Sequence, residues 1–382
     1  MASKRTIGIV GLPNVGKSTL FNALTKMSVP AENYPFCTID PSVGVVPVPD
    51  ARLDVLSRLS ASAKTVPAVI EFVDIAGLVK GAAEGAGLGN QFLSHIREVD
   101  AILEVVRFFD DADVHHVEGE VEPYKDIEII NLELVLVDAE QVRKRRGTIQ
   151  GDMKAGKKES IEEDAALAKL EQGFALGKLA IQTRLTDGEK ARVKQLNLLT
   201  LKPILYALNR KCNGHTLDEL KDGRAERAYE LIENFGSTYV LVDAATEREL
   251  NDVADEDRSG FRQELGVQED GLAALIRGAY ETLDLISFFT TGADESRAWT
   301  VPRGSTAPVA GAAIHEDFKD KFIRAEVISV EDLLSFGSPD AAGRGPDSER
   351  RAWAKAKELA KVRTEGKEYV VEDGDVMVFL HG

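Results

Sequence analysis

The chain has 382 residues, 43% of them hydrophobic and 29% charged, and its formal net charge at pH 7 is −17. This composition is typical of a globular protein with two or three domains. The negative charge argues against a general nucleic-acid-binding surface, and DNA is not an expected partner. No apolar run is long enough to suggest a membrane partner. The two cysteines cannot form a disulfide framework, which favours a cytoplasmic location.

Residues 11–19, Gly-Leu-Pro-Asn-Val-Gly-Lys-Ser-Thr, match in full the pattern Gly, four residues, Gly-Lys-Ser/Thr. The apolar run at 6–10 predicts a strand before it, and the spacing at 19–25 predicts a helix after it. Such a turn aims backbone N–H groups at one anion, and a triphosphate suits it. Lys17 is expected to reach the β- and γ-phosphates, and the Ser18 hydroxyl is expected to bind Mg²⁺. The other expected phosphate-loop contacts come from Asn14, Val15, Gly16 and Thr19.

Two later segments are expected to contact the metal ion and the γ-phosphate. Thr38 lies in a proline-rich loop after the phosphate helix, where nucleotide switches place a second Mg²⁺ hydroxyl. The strand-like run at 69–77 ends in Asp-x-x-Gly, so that Asp74 could hold Mg²⁺ through water and the Gly77 N–H could meet the γ-phosphate. Conventional switches continue with a Gln that orients the attacking water. Leu78 stands there, so either hydrolysis is very slow or another group positions the water.

Histidines follow the next predicted strand, residues 101–109. His115 and His116 lie in the polar segment 110–117, at the carboxyl end of that strand, which is the active-site edge in an open α/β sheet. Either histidine could position water in place of the missing Gln. The alternative is that both are ordinary surface residues.

Residues 127–195 change in character. Apolar residues at helical spacing in 127–146 and 161–185 predict two long antiparallel helices, with the polar stretch 147–158 between them. A basic cluster runs along this region, and its members are Arg143, Lys144, Arg145, Arg146, Lys154, Lys157 and Lys158. It is either a solvated helix face or a patch that faces RNA or a ribosome.

The base pocket is expected where two further strands end. Guanine-specific switches read the base with Asn-Lys-x-Asp, whose Asp accepts two hydrogen bonds, and with a second loop of small residues. Here the first motif reads Asn209-Arg210-Lys211-Cys212, and Ala244 lies in the second loop. Because the carboxylate is absent, guanine selectivity by this route is not expected, and adenine becomes at least as good a candidate.

The chain resembles the Obg-like ATPases, the YchF family. The resemblance rests on the phosphate loop, residues 33–39 (Asn-Tyr-Pro-Phe-Cys-Thr-Ile), residues 74–81 (Asp-Ile-Ala-Gly-Leu-Val-Lys-Gly) and Gly-Leu-Gly-Asn at 87–90. Further matches are Arg-Ala-Trp-Thr at 297–300, Phe-Ile-Arg-Ala at 322–325 and Val-Glu-Asp-Gly-Asp-Val-Met at 371–377. The likeness spans nearly the whole chain.

The resemblance implies an α/β P-loop domain at 1–126 and 197–285, an inserted helical arm at 127–196, and a C-terminal TGS domain of β-grasp fold at 286–382. Short predicted strands at 299–302, 322–329 and 369–371, separated by glycine turns, agree with a small β domain. The resemblance also implies a monomer that associates with the ribosome, through RNA of its large subunit.

The family's chemistry implies hydrolysis of ATP in preference to, or alongside, GTP, with a hydrophobic residue such as Leu78 replacing the Gln. It favours His116 over His115 as the group that positions water. It suggests K⁺ activation through Asn14 and an adenine contact from the backbone of Arg210. Two positions depart from the family pattern: Cys212 replaces an acid, and Asp243 replaces a small polar residue or cysteine.

These observations favour a Mg²⁺-dependent nucleoside triphosphatase that prefers ATP and acts as a slow switch near the translation machinery. The first alternative is a ribosome- or protein-binding module that holds nucleotide only as a structural ligand. The second is a conventional or dual-specificity GTPase, against which Cys212 weighs.

Overall fold

The computed structural model describes residues 5–27, 42–75, 96–111, 120–212, 215–265, 270–337 and 346–382. The strands are β1 (Thr6–Val10), β2 (Val43–Pro47), β3 (Lys64–Val66), β4 (Val69–Asp74), β5 (Ala101–Arg107), β6 (Phe109–Asp110), β7 (Ile204–Asn209), β8 (His215–Thr216), β9 (Thr238–Val242), β10 (Leu285–Thr290), β11 (Glu295–Pro302), β12 (Phe322–Ser329), β13 (Arg363–Glu365) and β14 (Asp375–His381).

The α-helices are α1 (Lys17–Lys26), α2 (Ala51–Ser60), α3 (Pro123–Lys154), α4 (Lys158–Ala175), α5 (Asp187–Val193), α6 (Leu217–Leu220), α7 (Arg224–Asn234), α8 (Ala244–Leu250), α9 (Asp255–Glu264), α10 (Gly271–Thr282), α11 (Ala307–Ile314), α12 (Glu316–Asp320), α13 (Val330–Phe336) and α14 (Pro346–Glu358). Three short 3₁₀ turns, Ala180–Gln182, Lys194–Leu196 and Leu199–Leu201, join α4 to α5 and α5 to β7. Within these described ranges, no helix is both long and apolar enough to cross a membrane.

The first sheet has six strands in the order β2-β4-β1-β5-β7-β9, and all its pairings are parallel except that of β2 with β4. Every residue of β5 and β7 is buried, as expected for central strands covered on both faces. In register, Ile9 of β1 lies beside Asp74 of β4, and Arg107 of β5 lies beside Asn209 of β7. Because parallel strands end at one edge, this register brings the phosphate loop, Asp74 and Asn209 to the same side of the sheet.

The predicted pair of long helices is confirmed, with different bounds. The first helix, α3, runs through Gly147 and Gly151 as far as Lys154 and packs against α4. The second helix, α4, ends at Ala175, just before Gly177 adopts a left-handed φ of 70°. Residues 147–154 are therefore helical rather than a linker.

The second sheet has the order β13-β12-β14-β10-β11-β3. Strands β10 and β11 form an antiparallel hairpin, β14 pairs in parallel with β10, and α11 lies between β11 and β12 in the chain. This is a β-grasp arrangement, and its core contains Ile286, Phe288, Val327 and Met377. Strand β3 pairs in parallel with β11, so a strand from the first half of the chain extends this sheet. Together the two sheets confirm the predicted fold class.

One predicted strand near the C-terminus is wrong. Residues 369–371 make a single bridge, between Val370 and Thr306, and the strand that follows is β14. The aromatic ring of Tyr369 instead faces the guanidinium of Arg363, and its hydroxyl donates to buried Asp375 at 2.7 Å. The segment is thus held by two backbone hydrogen bonds, Ala307 N–H to the Tyr369 carbonyl and Val371 N–H to the Ser305 carbonyl, together with the side-chain contacts of Tyr369.

Candidate functional site: a nucleotide pocket at the sheet edge

The phosphate loop joins β1 to α1. Gly11 and Gly16 have φ values of 144° and 103°, which L side chains rarely adopt, and Asn14 is left-handed at 62°. A Cβ on Gly16 would collide with the side-chain nitrogen of Asn209, and one on Gly11 would collide with the carbonyl oxygen of Val105. Both glycines are therefore required for the loop to pass so close to its neighbours. The loop leads directly into the N-terminus of α1, which favours bound anions.

A cavity of about 620 Å³ opens at this edge, within the range of ordinary small-molecule sites. Its lining residues are Asn14, Val15, Gly16, Lys17, Ser18, Thr19, Phe109, Asp111, Asn209, Arg210, Lys211, Asp243, Ala244 and Ala245. The structure thus brings together the phosphate-loop candidates and the candidates for the base pocket, which are about 190 residues apart in the sequence.

Lys17 and Asp74 lie close enough to influence each other's pKa. Burial lowers the pKa of Lys17, and the neighbouring carboxylate of Asp74 opposes that shift. Burial raises the pKa of Asp74, and Lys17 opposes that shift in turn. The Lys17 ammonium donates to the Leu12 carbonyl at 2.6 Å, so its side chain lies folded back over the phosphate loop.

The oxygen atoms at the phosphate end of the site are suitable ligands for Mg²⁺. A hydroxyl from Ser18 and a carboxylate from Asp74 are hard oxygen ligands, and Mg²⁺ typically takes one or two of these together with phosphate oxygens and water. The described residues contain no group of three or more His, Cys, Asp or Glu side chains that could hold a metal ion. A metal here would therefore depend on the nucleotide's own oxygens.

Five predicted site residues lie outside the described residues. They are Thr38, Gly77, Leu78, His115 and His116. Segment 112–119, which carries both histidines, lies between Asp111, which lines the cavity, and Glu120.

Asn209 connects the base end of the cavity to the phosphate loop. Its side-chain nitrogen donates to the Val15 carbonyl at 2.8 Å, and its side-chain oxygen accepts from the Ala244 N–H at 3.1 Å. The residue is 5% exposed. Both polar atoms of its side chain are thus used to fix three segments relative to one another.

Asp243 also fixes neighbouring segments relative to one another, at the second loop of the predicted base pocket. Its Oδ1 accepts from the N–H groups of Ala245 and Thr246 at 3.1 and 2.9 Å, which caps α8. Its Oδ2 accepts from the Cys212 N–H at 2.6 Å and from the Thr246 hydroxyl at 2.8 Å. An Asp before a helical Ala-Ala-Thr-Glu stretch is a recognisable N-cap signal, but the link to Cys212 could not be read from the sequence.

Cys212 is a partly buried, free cysteine. Burial, aided by the neighbouring Asp243, raises the pKa of its thiol to about 11. The thiol therefore stays neutral at physiological pH, where it can neither replace a carboxylate nor act as a reactive thiolate.

Two cavity residues, Phe109 and Asp111, were missed by sequence reasoning, as was the contact that Asp111 makes with Lys211 of the base motif. Lys211 Nζ and Asp111 Oδ2 form an ion pair at 2.5 Å. Phe109 belongs to the two-residue strand β6, which pairs with β8 just after the base loop. Strands this short leave no periodic signal, so nothing in the sequence indicates that these segments meet.

The comparisons with known proteins cover the whole chain. Residues 6–139 match a family described as 50S ribosome-binding GTPase, and residues 285–381 match YchF-GTPase_C, described as a protein of unknown function. The chain is 47% identical over 374 residues to "Ribosome-binding ATPase YchF" of Bacillus subtilis, covering 98% of each chain. It is 46% identical over 373 residues to the protein of that name from Escherichia coli O157:H7, again covering 98% of each.

A solved structure agrees with these sequence matches. The fold superposes on the YchF GTPase of Schizosaccharomyces pombe with a TM-score of 0.83 at 36% identity, covering 100% of this chain and 98% of that one. The sequence identity, the coverage and the shared fold all indicate the same family. The chain belongs to the YchF family of P-loop nucleotide hydrolases.

Proposed function

We propose that this protein is a Mg²⁺-dependent nucleoside triphosphatase that cleaves the β–γ bond of ATP in preference to that of GTP and works as a slow switch on the ribosome. The observation that supports it most is a cavity with a complete phosphate loop at one end. Among the described residues at its base end, the carboxylates are already engaged, Asp111 by Lys211 and Asp243 by four hydrogen bonds from protein groups. Relatives from Bacillus subtilis and Escherichia coli carry the name ribosome-binding ATPase.

The preference for ATP follows from the hydrogen bonds at the base end. Selective guanine binding requires a carboxylate that can accept two N–H groups of the base. At position 212 there is a neutral thiol, and the Asp243 carboxylate already accepts four hydrogen bonds from protein groups. Guanine would therefore leave donors unpaired in the pocket, whereas adenine can use backbone groups near Arg210.

Catalysis depends mainly on electrostatic stabilisation of the phosphates and on the positioning of the reacting groups. Lys17 neutralises phosphate charge, and Ser18, Asp74 and Thr38 hold Mg²⁺, which when bound offsets the charge that develops on the leaving group. The Gly77 N–H receives the γ-phosphate. Asn14 has a left-handed backbone conformation in this loop, and its side-chain oxygen would contribute to a K⁺ site. Turnover should consequently be faster in K⁺ than in Na⁺ at equal ionic strength.

His116 positions the attacking water, because Leu78 has no polar group for that task. The test is multiple-turnover phosphate release from ATP by wild type, His116→Ala and His115→Ala. We expect His116→Ala to lose about a hundredfold, in line with the usual contribution of a positioned acid–base group, while its neighbour's variant stays near wild type. Equal rates for wild type and His116→Ala would remove the histidine from the mechanism. No phosphate release by wild type would favour a binding module.

The arm supplies a surface for the ribosome, although only part of the basic cluster is free to act. Arg145 pairs with Glu163 at 2.6 Å, and Arg146 pairs with Asp164 at 2.8 Å and also with Glu171. The remaining exposed cations include Arg143 and Lys144. Reversing these two charges should weaken cosedimentation with large ribosomal subunits, whereas unchanged cosedimentation would exclude this face of the arm.

A further inference from the structure

A carboxylate lies at the base end of the cavity, paired with a lysine of the base motif. Asp111, the residue after β6, and Lys211, the third residue of the motif at 209–212, both line the cavity. The Lys211 ammonium donates to Asp111 Oδ2 at 2.5 Å. This ion pair joins two segments that are 100 residues apart in the sequence, and it does so inside the proposed base pocket.

We propose that Lys211 is a specificity-determining residue: by engaging the Asp111 carboxylate, it prevents that carboxylate from accepting the N–H groups of guanine. The inference rests on the proposed function, which puts the base of ATP at this end of the cavity, and it deepens that proposal. Cys212 accounts for the missing carboxylate of the guanine motif. Lys211 accounts for the failure of a second carboxylate, in the same cavity, to take its place.

The Asp111 carboxylate has the properties that guanine recognition requires. Its side chain is 13% exposed, and hydrogen bonds are stronger in such a site than in water. An ionised carboxylate has about four acceptor positions, and a guanine that donates two N–H groups needs one on each oxygen. Because the Lys211 ammonium occupies Oδ2 and neutralises the charge, the paired carboxylate cannot present both oxygens to a base.

The backbone at Asp111 is held independently of Lys211. Arg107, 1% exposed, donates from Nη2 to the Asp111 carbonyl oxygen at 3.0 Å. Burial lowers the pKa of Arg107, and the carboxylates of Asp111 and Asp110 oppose that shift. A cation therefore remains beside Asp111 when Lys211 is replaced, and it keeps the Asp111 carboxyl ionised and in place.

The second carboxylate of the base end, Asp243, cannot be released in this way. Its four hydrogen bonds go to the N-terminus of α8, the Thr246 hydroxyl and the Cys212 N–H, so freeing it would damage the pocket. The Lys211 side chain is 47% exposed, and ion pairs of such exposed side chains contribute little to stability. Replacing Lys211 should therefore change which base is bound without unfolding the protein.

The experiment measures the affinities of wild type and Lys211→Met for ADP and GDP, by competition with a fluorescent ADP analogue. Diphosphates keep hydrolysis out of the measurement. Loss of a cation that only attracts phosphates would weaken both nucleotides equally. We expect instead that the GDP affinity relative to the ADP affinity rises about tenfold or more, the usual discrimination of a bidentate contact to a base. Inosine diphosphate, which lacks the 2-amino group, should gain less than GDP.

Three variants serve as controls. Lys211→Arg keeps a cation beside Asp111 and should keep the wild-type ratio of GDP to ADP affinity. The double variant Lys211→Met/Asp111→Asn removes the carboxylate as well, so the gain in GDP affinity should disappear. Lys357→Met removes a lysine that pairs with Glu326 at 2.8 Å in the C-terminal domain, and both affinities should stay within about twofold of wild type.

The outcomes separate this inference from the proposed function. If wild type prefers ADP and Lys211→Met leaves the ratio unchanged, the role of Lys211 is wrong and the preference for adenine stands. If wild type binds GDP as tightly as ADP, the proposed preference fails. The role of Lys211 is then still supported if the ratio rises in Lys211→Met and reverts in the double variant. A rise that persists in the double variant, or that is as large for inosine diphosphate, would overturn it.

Discussion

The side-chain nitrogen of Asn209 donates to the carbonyl oxygen of Val15 at 2.8 Å, which joins the base-recognition loop to the phosphate loop. The two residues lie in segments almost 200 residues apart, and the whole helical arm is inserted between them. In the proposed function, base binding and phosphate binding would share one buried side chain, so a change at either end of the cavity should alter binding at the other.

Replacing Asn209 should weaken nucleotide binding even though the residue is expected to do little catalysis. Asn209→Ala leaves the Val15 carbonyl and the Ala244 N–H without their partner, at about 1–3 kcal/mol of stability for each buried group. We expect roughly half of the combined cost to fall on the nucleotide-bound state, which raises Kd roughly 10- to 100-fold, or about 1.4–2.7 kcal/mol. Asn209→Asp should be no better, because it sets a carboxylate oxygen against the Val15 carbonyl. Asn251→Ala is the control, since Asn251 makes a similar bond to Ala23 outside the cavity.

Gly16 tests whether the left-handed loop geometry is required. Gly16→Ala forces a Cβ into the side-chain nitrogen of Asn209 at a φ of 103°, so phosphate binding should fall at least tenfold by calorimetry. Gly147→Ala adds the same methyl group within α3, where nothing lies within 4 Å, and should stabilise the arm by up to about 1 kcal/mol. Similar affinities for the two variants would show that the loop tolerates a side chain.

Asp243 is predicted to hold the base pocket together without reading the base. Asp243→Ala removes the cap of α8 and the bond to Cys212, and should cost about 2 kcal/mol of stability in urea unfolding. The affinities for ATP and GTP should fall by similar factors. A selective loss of GTP affinity would instead identify Asp243 as a guanine ligand. Asp252→Ala, which removes an exposed ion pair with Lys26, should leave stability and binding almost unchanged.

A buried carboxyl group at the centre of β5 predicts a pH dependence of stability. Glu104 is 1% exposed and its Oε2 has no hydrogen-bond partner among the described residues. Burial, with a contribution from Asp126, raises its pKa well above the ordinary value, so the folded protein keeps a proton that the unfolded chain releases. Stability must then fall as the pH rises above the unfolded pKa, by up to about 1.4 kcal/mol per pH unit for one proton.

Glu104→Gln should remove that slope. We expect the variant to match wild type near pH 4 and to become progressively more stable than wild type between pH 5 and pH 8, in urea unfolding curves measured at each pH. Parallel stability curves for the two proteins over that range would show that Glu104 is ionised, or solvated, in the folded state.

The sequence predicts the phosphate end of the site well, because a fixed spacing of glycines, lysine and serine has only one common structural use. Asn209 and Ala244 could also be predicted, since both follow apolar runs that form neighbouring parallel strands. The pairing of Asp111 with Lys211 and the ion pair of Arg224 with Asp110 could not. They join segments about 100 residues apart through strands of two residues and through single side chains, and neither leaves a periodic pattern.

The helical arm shows a different limit of prediction from sequence. Glycines at 147 and 151 predicted a break, yet α3 continues through both, because packing against α4 outweighs about 1 kcal/mol of lost helix propensity at each glycine. The basic cluster also looked uniform in sequence. In the structure Arg145 and Arg146 are engaged by acidic residues of α4, which a one-dimensional pattern of charges cannot show.

The most direct test of the account is steady-state phosphate release from ATP and GTP, measured side by side on wild type with Lys17→Ala as the blank. The account predicts a low but clear turnover of ATP, abolished in Lys17→Ala, with kcat/KM for ATP at least tenfold above that for GTP, about 1.4 kcal/mol of discrimination. A kcat/KM for GTP equal to or above that for ATP would contradict the account. Guanine would then be recognised by a group other than the side chains of Cys212 and Asp243.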